Sequence, residues 1–162
     1  MGRDIHVRLV QFNHKTNQYE EVVLYRKNQQ NKIVPVYAYD SRNYELFDIL
    51  DGTDDNYFPY TPVNTENLPS ELKKEIEECQ QTDGYYNFYE TNLADVKIYL
   101  YDHSKVRDYD WHDENTFEKE GWKDNPAKNF IECIERYIGI ADVWWFGTQF
   151  DSNIRIIYWF DW

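Results

Sequence analysis

The first residues of the chain alternate between apolar and polar side chains. In 4–12, Ile5, Val7 and Leu9 alternate with polar residues, a period of two that is typical of a strand with one buried face. The last residues, 154–162, are apolar at most positions, which predicts a central strand covered on both faces. Further extended segments are predicted at 19–26, 33–39, 85–93, 94–103 and 142–150, the last forming a C-terminal β-hairpin with 154–162.

Three segments have helical spacing instead. In the first, which is short, Asp40 or Ser41 can cap the start and Gly52 can close the end. In the last, Pro126 suits the first helical turn and Gly139 is expected to end the helix. The predicted helices cover 40–52, 68–79 and 126–139. Together the elements predict one α+β domain, 1–162, in which an antiparallel or mixed sheet carries two main helices and one short helix.

Length and charge narrow the classes of function. A chain of 162 residues fits one domain that can bury a core without disulfide bonds. Its 30 acidic and 17 basic residues give a net charge of −13. Nucleic acid is therefore not expected as the main partner, because binding to phosphates relies on Lys and Arg. The charge instead favours a partner protein with a basic surface.

Cysteine usage and hydropathy bear on the cellular compartment. Cys79 and Cys133 lie in predicted helices with no second Cys or His at ligand spacing, so both are expected to be reduced thiols. No apolar run approaches the length of a membrane span, and no signal-peptide pattern opens the chain. We therefore expect a cytoplasmic protein that does not act at a membrane.

Four motifs carry a resemblance to other proteins. They are MGRDIH (1–6), DSRNYELF (40–47), DHS (102–104) and IRIIYWFD (154–161). In these motifs and their order the chain resembles a family of uncharacterised phage and prophage proteins, which begin Met-Gly-Cys-Asp-Ile-His and end in a strand like Arg-Ile-Val-Phe-Trp-Phe-Asp. The resemblance implies a small cytoplasmic accessory protein of phage origin and brings no assigned activity. Arg3 stands where the family usually has Cys.

The same motifs contain a candidate metal site. Asp4 and His6 share one face of the first strand, and Asp102 and His103 follow another predicted strand. If these strand ends are neighbours, the side chains suit Zn²⁺ or Mn²⁺, whose bound water could hydrolyse a phosphate or an amide. The spacing matches no recognised metal motif, so a solvated strand face with Asp102 at a corner explains these residues as well.

A second candidate is the start of the short helix. Asp40, Arg42 and Asn43 precede its apolar residues, and a helix N-terminus beside an Arg suits an anion such as the phosphate of a nucleotide. A capped helix with Arg42 paired to a nearby acid is the alternative.

The third candidate is the acidic segment 108–124, which carries Trp111 and Trp122. Trp supplies binding energy at protein interfaces, and acidic residues steer basic partners. The alternative is that both Trp side chains pack into the core. Aromatic residues that could instead line a groove for a sugar or a base are Tyr57, Phe58, Tyr60, Tyr85, Tyr86 and Tyr89.

The sequence favours a binding protein over an enzyme. It contains no strong catalytic motif, and its charge and aromatic content suit recognition of a host protein with a basic surface or of a small ligand such as a nucleotide. Interference with host defence is the expected setting, and no cofactor is expected. The alternative is the metal-dependent hydrolase built on Asp4, His6, Asp102 and His103.

Overall fold

The computed structural model describes residues 2–53, 58–106, 126–140 and 154–162, of which 100–106 and 140 are described by their backbone only. The predicted strand at 142–150, and with it the predicted C-terminal hairpin, lies outside the described residues. Mixed strands and helices confirm the predicted α+β class.

Seven strands are described. The main sheet has five antiparallel strands in the order β2-β1-β7-β6-β5, and β3 and β4 form a separate two-stranded sheet. The strands are β1 (Asp4–Asn13), β2 (Gln18–Val22), β3 (Leu24–Lys27), β4 (Ile33–Val36), β5 (Thr61–Pro62), β6 (Tyr85–Asn92) and β7 (Ile154–Asp161). The first and last described strands are thus neighbours at the centre of the sheet.

Four helices are described within the same residues. They are α1 (Tyr44–Leu50), α2 (Ser70–Gln80), α3 (Leu93–Val106) and α4 (Pro126–Ile140). The predicted short helix and the two predicted main helices are α1, α2 and α4, whereas the sequence predicts a strand over most of α3. Gly139 does not end α4, which continues to Ile140.

β7 is the central strand that its apolar pattern predicts. It pairs with β1 from Asp161 opposite Asp4 to Ile154 opposite Gln11, and with β6 on its other side. On one face, Ile156, Tyr158 and Phe160 join the core formed with α1, α3 and α4. On the other face, Trp159 and Ile157 pack against the apolar stripe of α2. Both faces of the sheet are therefore covered.

The segment 94–103 is a helix, and the prediction of a strand there is wrong. The buried positions Leu93, Val96 and Tyr99 recur every three residues, which is helical spacing. Asn92 starts the helix, because its side-chain oxygen accepts a hydrogen bond from the Asp95 N–H at 2.8 Å and its amide donates to the Asp95 carboxylate at 2.7 Å.

The segment 19–26 is two strands, not the single predicted one. β2 ends at Val22, and the chain leaves the main sheet before β3 begins at Leu24. The hydroxyl of Tyr137 in α4 accepts a hydrogen bond from the Leu24 N–H at 2.6 Å and donates to the Val36 carbonyl at 2.5 Å. One side chain from α4 therefore holds both strands of the β3–β4 ribbon at its base.

Candidate functional site

The end of β1 and β7 at which Asp4 and Asp161 are paired carries the candidate site. We call it the strand-end surface. Several of its side chains come from the motifs at 1–6, 40–47 and 154–161. Its members are Asp4, His6, Arg42, Tyr44, Asp161 and Trp162.

Asp4 and Arg42 form a two-bonded ion pair on this surface. Arg42 donates from Nε and Nη2 to the two carboxylate oxygens of Asp4, at 2.5 and 3.1 Å. The hydrogen bond from Arg42 lowers the pKa of the Asp4 carboxyl below its usual value. Arg42 is therefore paired with a nearby acid, which is the alternative to an anion site at the start of α1. The pair joins the segment before α1 to the start of β1.

His6 and Asp161 form a second pair beside the first. His6 Nε2 lies 2.8 Å from the Asp161 carboxylate, and the imidazole stacks on the Trp159 ring with 5.3 Å between centroids. Two carboxylates directly opposite each other on paired strands repel, and Asp4 and Asp161 occupy such positions. Arg42 and His6 each bond one of these carboxylates, which offsets the repulsion.

Arg3 contacts both α1 and β7 next to the strand-end surface. It forms ion pairs with Asp48 at 3.2 Å and Asp51 at 2.7 Å, and its guanidinium lies 4.7 Å from the centre of the Phe160 ring. The Arg3 N–H also lies 3.4 Å from the Tyr44 hydroxyl, which accepts its hydrogen bond. Arg3 therefore ties the start of the chain to α1, a role that no local sequence pattern indicates.

Two aromatic side chains of the surface are exposed. Tyr44 is 50% exposed and Trp162 is 66% exposed. Trp162 is held in place, because its ring lies 4.5 Å from that of Tyr86 and its backbone N–H donates to the Gly84 carbonyl at 3.3 Å. Arg3 links Tyr44 to Trp162 through Tyr86. Its backbone N–H donates to the Tyr44 hydroxyl, and its guanidinium lies 5.9 Å from the centre of the Tyr86 ring, on which Trp162 packs.

The predicted anion site at the start of α1 is not favoured. Asn43, not Asp40 or Ser41, caps the helix, and its side-chain oxygen accepts a hydrogen bond from the Leu46 N–H at 3.1 Å. Asp40 is exposed and precedes the cap. The helix has only seven residues, and Arg42 is directed to Asp4. A short helix with one N–H already bonded offers little attraction for an anion.

The predicted metal site depends in part on the side chains of Asp102 and His103, which lie outside the described side chains. Asp102 and His103 lie on α3, so the prediction that they follow a strand is wrong. Residues Leu93, Val96 and Tyr99 of α3 pack on one face of the sheet, whereas His6 stacks on Trp159 on the opposite face. Among the described side chains, no group of three or more His, Cys, Asp and Glu residues is placed to hold a metal ion.

The predicted aromatic groove does not form among the described rings. Tyr86 and Tyr89 pack on one face of the sheet with Tyr60, whereas Tyr85 and Phe88 pack on the other. The rings therefore fill two cores. Tyr57, and the predicted interface residues Trp111 and Trp122, lie outside the residues that the structure describes.

A polar cleft of about 350 Å³ lies at the opposite end of β7. Arg155, which lines it, donates to the Glu90 carboxylate at 2.7 Å and to the carbonyls of Asn64 and Asn67 at 2.9 and 3.1 Å. These bonds satisfy the guanidinium within the protein. These residues are far apart in the chain, so no local motif indicates that they lie together.

No protein-family model, curated protein or solved structure matches the chain. No helix in the described part of the chain is long and apolar enough to cross a membrane. The fold and the site thus define an α+β protein with an aromatic and charged surface at one end of its central strands.

Proposed function

We propose that the protein is a non-enzymatic binding protein whose strand-end surface docks onto another protein. One observation carries the proposal: Arg42, Tyr44 and Trp162 are all exposed at the end of the sheet where Asp4 and Asp161 are paired, with exposed fractions of 57%, 50% and 66%. Trp, Tyr and Arg are the residue types that supply most of the binding energy at protein interfaces.

The fixed positions of these side chains support the proposal. Arg42 is held by Asp4, and Trp162 packs against Tyr86. Side chains that are already ordered lose less conformational entropy when a partner binds, so more of the contact energy appears as affinity. A surface built in this way favours a partner that binds without a large rearrangement of the strand ends.

The charge of the protein supports a partner with a basic surface. The net charge of −13 raises the rate at which a basic protein encounters the surface. The phage origin, the cytoplasmic setting and interference with host defence belong to this proposal. The phage origin and the host-defence setting rest on the resemblance carried by the motifs at 1–6, 40–47, 102–104 and 154–161, and the cytoplasmic setting rests also on the two unpaired cysteines expected from the sequence.

A capture experiment tests the proposal. Tagged protein is incubated with bacterial lysate, bound proteins are identified, and the affinity of each purified candidate is measured. We expect the double variant Tyr44→Ala, Trp162→Ala to weaken binding of the true partner by about a hundredfold or more, since truncation of interface anchors of these types costs about 2 kcal/mol each and about 1.4 kcal/mol is a tenfold change.

Ile98 supplies the matched control. It is 60% exposed on α3, and Ile98→Ala removes an exposed apolar group from an element that contributes no residue to the strand-end surface. This variant should bind the partner as the unchanged protein does. Equal binding by the double variant and the unchanged protein, or failure of the unchanged protein to capture any partner, would contradict the proposal.

A further inference from the structure

The ribbon formed by β3 and β4 has a face that no described residue covers. Tyr25 and Ile33, on its exposed face, are 64% and 70% exposed. Across the ribbon, Tyr25 is opposite Pro35 and Lys27 is opposite Ile33, so these four side chains share one face. Two large apolar side chains on one exposed face give the ribbon an apolar patch that suits contact with another molecule.

The ribbon is also basic in an acidic protein. Residues 23–36 contain Arg26, Lys27 and Lys32 and no acidic residue, so the rest of the chain is three units more negative than the total of −13. None of these three cations forms an ion pair with a residue that the structure describes. The ribbon therefore presents free positive charge that suits an acidic partner.

The two edges of the ribbon differ in their capacity for hydrogen bonds. The Asn28 N–H bonds the Lys32 carbonyl, and in an antiparallel pair the bonded positions alternate. The backbone groups of Tyr25 and Lys27 consequently point away from β4, toward the outer edge of β3. On β4 the outward positions are Ile33 and Pro35, and Pro35 has no N–H to donate.

The structure thus assigns the outer edge of β3 as a second binding site, distinct from the strand-end surface. We propose that it takes an extended acidic segment of a partner protein as an added antiparallel strand. The backbone of Tyr25 and Lys27 supplies the pairing, and the ring of Tyr25 with the three cations supplies selectivity for an acidic and apolar sequence.

An acidic peptide fits this edge better than nucleic acid does. A duplex carries charge along its whole length and would meet repulsion from the strongly negative remainder of the protein. A short extended segment touches the ribbon alone. The ribbon is also fixed before binding, because the Tyr137 hydroxyl bonds both of its strands.

The test uses a fluorescein-labelled peptide of about eight alternating Glu and Val residues, a typical strand length. Fluorescence anisotropy should show binding to the full chain. The variant Arg26→Glu, Lys27→Glu should weaken it by about tenfold or more, the effect expected from two charge reversals at a pairing site. The control Lys73→Glu, Lys74→Glu makes the same charge change on α2 and should bind as before.

Amide hydrogen exchange separates strand addition from simple charge attraction. The bound peptide should slow exchange of the Tyr25 and Lys27 amides and leave that of Arg26, which already faces β4, unchanged. Binding without this protection, or tighter binding of duplex DNA than of the peptide, would overturn the proposal. Failure of the peptide to bind would also overturn it. The basic residues of the ribbon would then serve only to prevent pairing of its exposed strand edge with other chains.

Discussion

Arg8 shows how a polar position in an alternating strand can be structural. Its side chain is 9% exposed between the sheet and α2, where it donates to Glu21 at 2.7 Å and to Glu75 at 2.6 Å. Its guanidinium lies 4.0 Å from the centre of the Tyr37 ring. The alternation of β1 predicts a solvated face here, but α2 covers that face at Arg8. The two ion pairs of Arg8 therefore join β1, β2 and α2.

We expect Arg8→Met to destabilise the protein by about 2 kcal/mol. The change leaves Glu21 and Glu75 without their cation, and the cost is below that of a fully buried pair because Glu75 is 42% exposed. Urea unfolding monitored by circular dichroism measures it. Arg42→Met is the control, since its pair with Asp4 is exposed and contributes little. Equal midpoints for the two variants would contradict this account.

Tyr158 gives a prediction for alkaline pH. It is buried, its hydroxyl donates to the Leu50 carbonyl at 2.7 Å, and burial raises its pKa well above the usual value. Folding therefore favours the neutral phenol, and the associated stability is complete below the unfolded-state pKa of about 10 and is lost as pH rises above it.

Tyr158→Phe should lower the free energy of unfolding at neutral pH by about 1 kcal/mol, the worth of one buried hydrogen bond. The variant should also lose stability less steeply above pH of about 10, because one titrating group is gone. Urea unfolding at neutral and alkaline pH compares the two proteins. An unchanged alkaline slope would show that Tyr158 does not carry this dependence.

Elements are predictable from the sequence where their pattern is local. The apolar run of β7 predicts its central position because both faces of that strand are buried. The strand-like composition of α3 misleads, since its Val, Ile and Tyr residues favour strands. The local signal for a helix was the cap formed by Asn92 and Asp95.

Long-range contacts account for what the pattern could not predict. The break between β2 and β3 depends on Tyr137, which follows Leu24 by 113 residues. In the strand-end surface, Arg42 and Asp4 are 38 residues apart and His6 and Asp161 are 155 apart. The motifs indicate that these residues are of interest. Which residue each of them pairs with depends on the tertiary fold, because β1 and β7 are neighbours only in the folded sheet.

Tyr137→Phe tests the anchor of the β3–β4 ribbon. Without the hydroxyl, the Leu24 N–H and the Val36 carbonyl lose a shared partner, so the Leu24 amide should exchange faster and stability should fall by about 1 kcal/mol. Tyr39→Phe is the control, because its ring packs on Phe130 of the same helix. Unchanged exchange at Leu24 in the Tyr137 variant would contradict the anchor.

At the scale of the whole molecule, the two ends of the main sheet differ. Arg155 at the start of β7 is bonded within the protein, whereas the end of β7 presents the exposed ring of Trp162 beside exposed ion pairs. The β3–β4 ribbon adds a basic surface to an otherwise acidic protein. This distribution supports the proposal of a protein-binding surface at the end of the sheet where Asp4 and Asp161 are paired.

Photo-crosslinking measures most directly whether the strand-end surface binds a partner. A benzophenone amino acid replaces Tyr44 in one variant and Ile98 in another, both exposed positions, and the proteins are irradiated in bacterial cells. We predict a discrete crosslinked product of higher mass from position 44 and none from position 98. No product from position 44, or the same product from both positions, would contradict the proposed function.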